Sequence, residues 1–443
     1  MEKGRLKKLI LPLILEQLLA VSVGMADTFM VSTVGEAAIS GVSLVDGLNL
    51  LILQVMAAFC AGGIVIISQY IGENSYSNIK SSSRHLEILV NAFSVFVMLV
   101  FLLFGKYILR FLFGAIEADV MEAAKSYLMI TSLSFIFWGM YSSGAAILRC
   151  HEDTKTSMKV SVIMNLMNVA LNAFFVFAVH MGVVGVALTT LISRATAGIV
   201  MKFILVVKER KEETDFTLVN NDKKISFEML KRILAMGVPS GIENGMFHVG
   251  KLALASVIAT LGTSAIAANS ISYQVIEFPN IIGNTIGLAL VVITGQNIGA
   301  KNLDAAKSDT KYMIRLAYIG DWICKISFFF LSPLIVSLFS LSPEASAIAV
   351  TVLRAFSIAS LPIWPLSFTM PHALRGAGDV KYTMVMSIIS MWAGRVIVGY
   401  VLITFFHLGI LGVWIGMFVD WYIRGISFLV RFYGKKWLEK RAV

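Results

Sequence analysis

Residues 374–381 read LRGAGDVK, and residues 148–155 read LRCHEDTK. The two octapeptides lie 226 residues apart in a chain of 443. A shift of 227 residues brings the stretch from 5 to 81 into register with the second half of the chain without a gap, so that Pro12 meets Pro239 and the motif HxGxxG recurs near 180 and 407. A register kept over both halves indicates an internal duplication, in which each half folds as the same unit.

The composition places most of the chain in lipid. Hydrophobic residues make up 57% and charged residues 14% of the sequence, against about 25% charged residues in a soluble domain. Twelve apolar segments are each long enough for the roughly 20 residues that cross a bilayer: 9–33, 38–70, 86–113, 123–148, 160–179, 185–207, 235–260, 265–298, 312–339, 345–373, 383–406 and 411–433. We therefore predict an all-α integral membrane protein, with twelve transmembrane helices in two parallel six-helix repeats and a central cavity.

The positive charges predict the orientation. The terminal segments and alternate loops on one side carry 28 of the 37 Lys and Arg residues, and the loops on the other side carry none. Basic loops stay in the cytoplasm, so both termini should face the cytosol of a cell whose inner (plasma) membrane holds this multi-pass protein. The predicted domains are residues 1–207, a charged cytosolic linker 208–232, and residues 233–443.

Several function classes are disfavoured. The three cysteines are scattered without metal-ligand spacing, and the sequence contains no HExxH, GxSxG or Walker A motif. The net charge of +10 is spread over loops rather than gathered on one folded surface, which argues against nucleic acid. Tandem halves around a central site favour a secondary transporter with alternating access over an enzyme or a pore.

Four motifs resemble those of the multidrug and toxic compound extrusion (MATE) transporters. In the first span Pro12, Asp27 and Gly35 form P-x14-DT-x6-G, and residues 295–300 read GQNIGA. The octapeptides at 148–155 and 374–381 are similar to the family's LRGxxDTK, with Cys150 in place of the first glycine. The resemblance implies H⁺- or Na⁺-coupled antiport that exports amphiphilic, often cationic organic compounds. A lipid-linked precursor flippase of the same superfamily is the alternative.

The resemblance also implies a coupling-ion site, from which this sequence departs in two ways. One branch of the family carries Asn-x-x-x-Asp in the fifth span, and here the acid is replaced, giving Asn168 and Asn172. Another branch carries acids in the seventh and tenth spans, where this chain has Glu243 one turn early and Trp364. Asp27 remains the best candidate, either as a Na⁺ ligand with the two asparagine oxygens or as a proton carrier.

Other intramembrane side chains are candidates because a charge at mid-membrane costs about 2.5–3.5 kcal/mol. Candidate contacts for substrate or ion are Glu16, Asp46, Trp138, Glu243, Lys251, Glu277, Trp364 and Arg395. Glu16 and Glu243 are repeat counterparts, which suits either a cation site or a fold contact. Lys251 is expected to pair with Glu243 or Asp27, and Arg395 either to form an ion pair between the halves or to contact substrate.

Three further expectations complete the prediction. Asp321 with Lys325, and Asp420 with Arg424, should be structural i,i+4 pairs. Prolines at 362, 365 and 371 should bend the tenth span. The protein should be a monomer that meets lipid and small amphiphilic substrates, with no cofactor besides the coupling cation.

Overall fold

The computed structural model describes residues 3–114, 116–210, 225–339 and 341–443. Within these ranges, the side chains of residues 3, 5–7, 25–29, 31–32 and 210 are not described. Most of the predicted linker, residues 211–224, lies outside the described residues, and so does the side chain of Asp27.

The described residues fold as helices joined by short connections, as predicted. The helices of the first half are α1 (Lys3–Ser32), α2 (Glu36–Gly72), α3 (Tyr76–Phe113), α4 (Ala118–Cys150), α5 (Thr154–Ala178) and α6 (Gly182–Arg210). Those of the second half are α7 (Phe227–Ala259), α8 (Thr263–Gly299), α9 (Leu303–Ser337), α10 (Pro343–Ser360), α11 (Pro365–Gly376), α12 (Val380–Thr404) and α13 (Gly409–Tyr433).

The number of spans agrees with the prediction when α10 and α11 are taken as one. Nine of the described helices are long and apolar enough to cross a membrane, and the bent pair α10–α11 makes ten. The remaining two, α1 and α7, are 30 and 33 residues long, which exceeds the roughly 20 residues needed to cross a bilayer. Large apolar side chains such as Phe104, Phe203 and Phe330 are exposed on these helices, as expected of a surface that meets lipid. This is a multi-pass membrane protein.

The chain forms two compact units, residues 2–241 and 242–443. The first turns of α7 belong to the first unit, where Gly237 lies against the backbone of Ala58 on α2. The predicted ends of the two repeats, 207 and 233, rest on the sequence alone and stay a prediction.

The duplication is visible in the backbone. Residues with positive φ recur at offsets of 226 or 227: Gly35 and Gly262, Asn74 and Lys301, Glu152 and Gly378, His180 and His407, Gly182 and Gly409. Non-glycine residues rarely adopt this conformation. Its recurrence at equivalent positions of both halves shows that the halves share a backbone path as well as sequence motifs.

The tenth span is broken, as its prolines predict. The axes of α10 and α11 differ by 71°. Proline removes backbone donors and leaves carbonyls without helical partners, and α9 supplies replacements. The Tyr318 hydroxyl donates to the Pro362 carbonyl at 2.7 Å, and Trp322 Nε1 donates to the Leu361 carbonyl at 2.9 Å. The break is therefore held by side chains, as a broken helix inside a membrane requires.

Candidate functional site

Glu16 and Glu243 each form an ion pair with an arginine of the repeated octapeptide. Arg149 Nη2 lies 2.7 Å from Glu16 Oε1, and Arg375 Nη2 lies 2.7 Å from Glu243 Oε2. Both glutamates are buried. In each half the pair joins the first helix to the end of the fourth span. Each motif arginine is therefore held by a buried carboxylate of its own half.

The aspartate of each octapeptide also has a basic partner at the end of the sixth span. Lys208 Nζ lies 2.8 Å from Asp153 Oδ2, and Arg431 Nε lies 2.7 Å from Asp379 Oδ2. Asp153 also caps α5, because its carboxylate accepts hydrogen bonds from the backbone N–H and the hydroxyl of Thr156. Partial burial opposes ionisation, but the hydrogen bonds from Lys208 and Thr156 outweigh it and hold the pKa of Asp153 below its usual range. Both octapeptides thus form part of the fold.

Asp46 on α2, in the amino-terminal unit, is not a member of the ion pairs that recur in both halves. Its Oδ1 accepts from the Tyr127 hydroxyl at 3.1 Å and from Asn49 Nδ2 at 3.5 Å. Arg194 on α6 interacts with it electrostatically and donates to Ser134 at 2.9 Å. Asp46 is exposed although its helix spans the membrane, which is typical of a carboxylate that lines a water-accessible path.

The predicted coupling site is described in part. Asn168 and Asn172 on α5 are buried, with Nδ2 of Asn172 lying 3.5 Å from Oδ1 of Asn168. Helix α1, which carries Asp27, packs along α5. Within the described residues no three His, Cys, Asp or Glu side chains are placed to hold a metal ion. The site of Asp27, Asn168 and Asn172, with Na⁺ or H⁺, stays a prediction.

In the carboxy-terminal unit, one aspartate serves two arginines. Asp420 Oδ2 lies 2.8 Å from Arg395 Nη2 and 3.1 Å from Arg424 Nη2, and all three residues are buried. The ring of Phe247 lies under both guanidinium groups, with centroids 5.5 Å from Arg395 and 4.9 Å from Arg424. The predicted pair of Asp420 with Arg424 is present. Arg395 pairs within its own half, so the expected ion pair between the halves is wrong.

Lys251 and Glu277 lie beside this cluster and are exposed. Lys251 Nζ lies 5.8 Å from the Tyr273 ring centroid and interacts electrostatically with Arg395 and Glu277. Both carboxylate oxygens of Glu243 accept from Arg375 instead. The expected pairing of Lys251 with Glu243 is therefore wrong, and a pairing with Asp27 falls outside the described side chains.

The predicted pair of Asp321 and Lys325 is confirmed at 2.7 Å, and both side chains are fully buried. Lys325 Nζ also lies 4.6 Å from the centroid of Trp364, which stacks on Phe368 at 4.9 Å. Trp364 belongs to the hydrophobic core of its unit. Trp138, its repeat counterpart, is half-buried beneath Arg194, with Cζ of the arginine 5.1 Å from the ring centroid. Substrate contact by either tryptophan stays a prediction.

Sequence reasoning missed three members of these clusters. Arg194 is a charged residue within the sixth apolar segment, so a search for intramembrane charges would have found it. Tyr127 and Phe247 give no such signal, because an aromatic residue in an apolar segment is ordinary there. Their roles depend on contacts between helices that are distant in sequence.

A comparison with protein families bears on this arrangement. The model of a family described as MatE matches residues 12–174 and 239–401. The two matched segments are offset by 227 residues, the offset that relates the repeats.

Individual proteins match over nearly the whole chain. The probable multidrug resistance protein NorM of Thermotoga maritima is 29% identical over 100% of this chain and 94% of its own length. The multidrug export protein MepA of Staphylococcus haemolyticus is 26% identical over 85% of this chain and 82% of its own length. A crystal structure of MATE in the straight conformation has a TM-score of 0.91 at 22% identity, covering 98% of this chain and 96% of that chain. The structural likeness identifies the shared fold.

Proposed function

The chain belongs to the MatE family, a family of transporters rather than enzymes, and on that premise we propose that it exports several amphiphilic, often cationic organic compounds in exchange for H⁺ or Na⁺. We further propose that transport occurs by alternating access, that the protein lies in the cell's inner (plasma) membrane, and that both termini face the cytoplasm. Relatives named as a probable multidrug resistance protein and as a multidrug export protein support export of drugs and do not favour the flippase alternative.

One observation carries the proposal. The glutamates that both halves share, Glu16 and Glu243, are held by arginines in the same way, so their charges are explained by the fold. Asp46, Lys251 and Glu277 have no acidic or basic repeat counterpart at a shift of 227, and they are exposed on membrane-spanning helices. Charges that are costly in a bilayer and unnecessary to the shared fold support a role in moving ions or substrate.

Within this function we propose Asp27 as the coupling residue. Its repeat counterpart is Leu254, so the fold does not demand a carboxylate. Together with the amide oxygens of Asn168 and Asn172, its carboxylate would supply the oxygen ligands that a hard cation prefers. A carboxylate in a membrane-spanning segment is equally suited to carry a proton.

Reconstituted vesicles test both the ion-coupled export and the role of Asp27. Dye efflux is measured in proteoliposomes under a Na⁺ gradient alone and under a proton gradient alone. We expect one gradient to drive wild-type efflux and Asp27→Asn to abolish that drive. The matched control is Asp304→Asn, at an exposed acid in the first turn of α9, which should behave as wild type. If neither gradient drives efflux, coupled export is contradicted. If Asp27→Asn is fully active, only the assignment of Asp27 is contradicted.

A further inference from the structure

His85 links two helices that are distant in sequence. It lies on α3, directly before the predicted third span, and is 3% exposed. Its Nε2 lies 2.8 Å from the backbone nitrogen of Ser226, where the chain enters α7. Its Nδ1 lies 2.6 Å from the carbonyl oxygen of Ser81, one turn earlier on α3. All three residues belong to the first compact unit, in which His85 ties the start of α7 to α3.

The two partners determine which nitrogen of the ring carries hydrogen. A peptide N–H can only donate, so Nε2 must offer a lone pair, whereas a carbonyl oxygen can only accept, so Nδ1 must carry the hydrogen. A ring with one donor and one acceptor nitrogen is the neutral form of histidine. In the charged form Nε2 also carries hydrogen, which would point at the N–H of Ser226. Protonation of His85 is therefore incompatible with this contact.

The start of α7 gives a second reason for a neutral ring. The first N–H groups of a helix have no partners within the helix, and they give this end a partial positive charge. The hydroxyl of Ser226 accepts from the N–H of Met229 at 3.3 Å and caps the helix, while His85 accepts from the N–H of Ser226 itself. A charged imidazolium here would be repelled by the helix end as well as by Ser226.

No neighbouring carboxylate accepts a hydrogen bond from His85. The residues one turn away on α3 are uncharged: Ser81, Ser82, Ile88 and Leu89. Besides Arg84 and Glu87 on α3, the titratable groups at this end of the surrounding helices are Tyr70 and Glu73 on α2, Arg149 on α4, Lys202 on α6, and Glu228 and Arg232 on α7. Lys202 holds Glu87 at 2.8 Å, and Arg232 holds Glu228 at 2.7 Å. Within the described residues, His85 hydrogen-bonds only with Ser81 and Ser226.

We propose that His85 is a pH-sensitive tether, which holds the start of α7 against α3 when neutral and releases it when protonated. Histidine is the side chain that gains its proton between about pH 8 and pH 5, and Ser226 is exposed, so water reaches the contact. Further along α7, Arg232 Nη1 donates to the Tyr70 hydroxyl at 3.1 Å, so release should free the first turn rather than the whole helix. The tether does not depend on which ion or compound the protein moves.

Hydrogen exchange of the full-length protein in nanodiscs measures the tether directly. The amide of Ser226 is followed at about pH 8 and about pH 5.5 by mass spectrometry with single-residue fragmentation, and the rates are corrected for the intrinsic dependence of exchange on pH. We expect the protection of this amide to fall about tenfold at the lower pH, the equivalent of one net hydrogen bond. Amides in the middle of α3 should keep their protection.

Substitutions at His85 separate the proton from the packing. His85→Gln supplies an acceptor oxygen that gains no proton in this range, so Ser226 should be protected equally at both pH values. His85→Leu removes the acceptor, so the amide should exchange about tenfold faster already at the higher pH. The matched control is His180→Asn, at an exposed histidine before α6, where asparagine tolerates the positive φ. It should keep the pH dependence of wild type.

Three results would overturn the inference: equal protection of Ser226 at both pH values in wild type, the same fall in His85→Gln as in wild type, or wild-type protection in His85→Leu. Melting temperatures equal to that of wild type confirm that the variants are folded. If His85→Leu does not fold, the comparison of wild type with His85→Gln decides the question alone.

Discussion

Glu243 Oε2 lies 2.7 Å from Nη2 of Arg375, a residue 132 positions further along the chain. The same contact, at the same distance, joins Glu16 to Arg149 across 133 positions. A duplicated buried ion pair shows which intramembrane charges belong to the fold. It also provides two copies of one interaction, so that each copy controls for the other.

Breaking either pair should destabilise the protein. Arg375→Gln leaves Glu243 buried without its partner, and we expect a loss of about 3 kcal/mol in the free energy of unfolding. The double variant Glu243→Gln/Arg375→Gln should recover part of that loss, because no lone charge remains. Thermal melts of purified protein measure both effects, and Arg149→Gln should repeat them.

The exposed pair of Glu228 and Arg232 is the control. Its nitrogen–oxygen distance is also 2.7 Å, but the side chains are 73% and 42% exposed. Arg232→Gln should cost less than about 1 kcal/mol. Equal losses at the buried and exposed pairs would contradict the view that the repeated pair holds each half together.

The sequence predicts the fold because its two strongest signals, apolar length and repeat register, are local or periodic. The break in the tenth span is likewise predicted by its prolines. The ion pairs are a different matter, since Glu16 and Arg149 lie on helices whose packing no local pattern reveals. Asp27, the main candidate from the sequence, has a side chain that the structure does not describe.

Gly378 and Glu152 occupy equivalent turns with φ of 98° and 62°. A side chain at Gly378 would also contact the Lys440 carbonyl. Gly378→Ala should therefore lower the free energy of unfolding by about 2 kcal/mol, whereas Glu152→Gly should raise it by up to about 1 kcal/mol, because only glycine adopts this conformation without strain. Melting temperatures that shift in the same direction for both variants would contradict this explanation.

Lys325 and Asp321 are fully buried, so removal of one partner should be more harmful than removal of both. Lys325→Met leaves the Asp321 carboxylate uncompensated, and we expect a loss of about 3–5 kcal/mol in the free energy of unfolding. Asp321→Asn/Lys325→Met should be clearly more stable than Lys325→Met alone. Chemical denaturation in detergent measures the difference. A double variant as unstable as the single one would show that Lys325 acts through its contact with Trp364 rather than through its charge partner.

The stability of the folded protein should depend on pH through Asp153. Hydrogen bonds from Lys208 and Thr156 lower its pKa in the folded protein, so the folded state favours the ionised form. The stabilisation is present above the ordinary pKa of about 4 and is lost as the pH falls through the lower folded value. Asp153→Asn should therefore melt below wild type at about pH 7, and the gap should narrow at about pH 3. A gap that does not change with pH would show that the carboxylate's charge is not involved.

Asp46 and Glu16 should separate transport from folding. Asp46 is exposed and its repeat counterpart is Tyr273, so the shared fold does not depend on its charge. Glu16 is buried and bound by Arg149. We expect Asp46→Asn to reduce gradient-driven dye efflux about tenfold or more with little change in melting temperature, since loss of an exposed carboxylate costs little stability and an intramembrane acid of this kind serves ion or substrate movement. Glu16→Gln should lower the melting temperature.

Asp46→Glu, which keeps the charge, should retain most of the efflux. If Asp46→Asn transports as wild type does, or melts as early as Glu16→Gln, then the absence of an acidic or basic repeat counterpart does not distinguish charges that serve transport from structural ones in this protein.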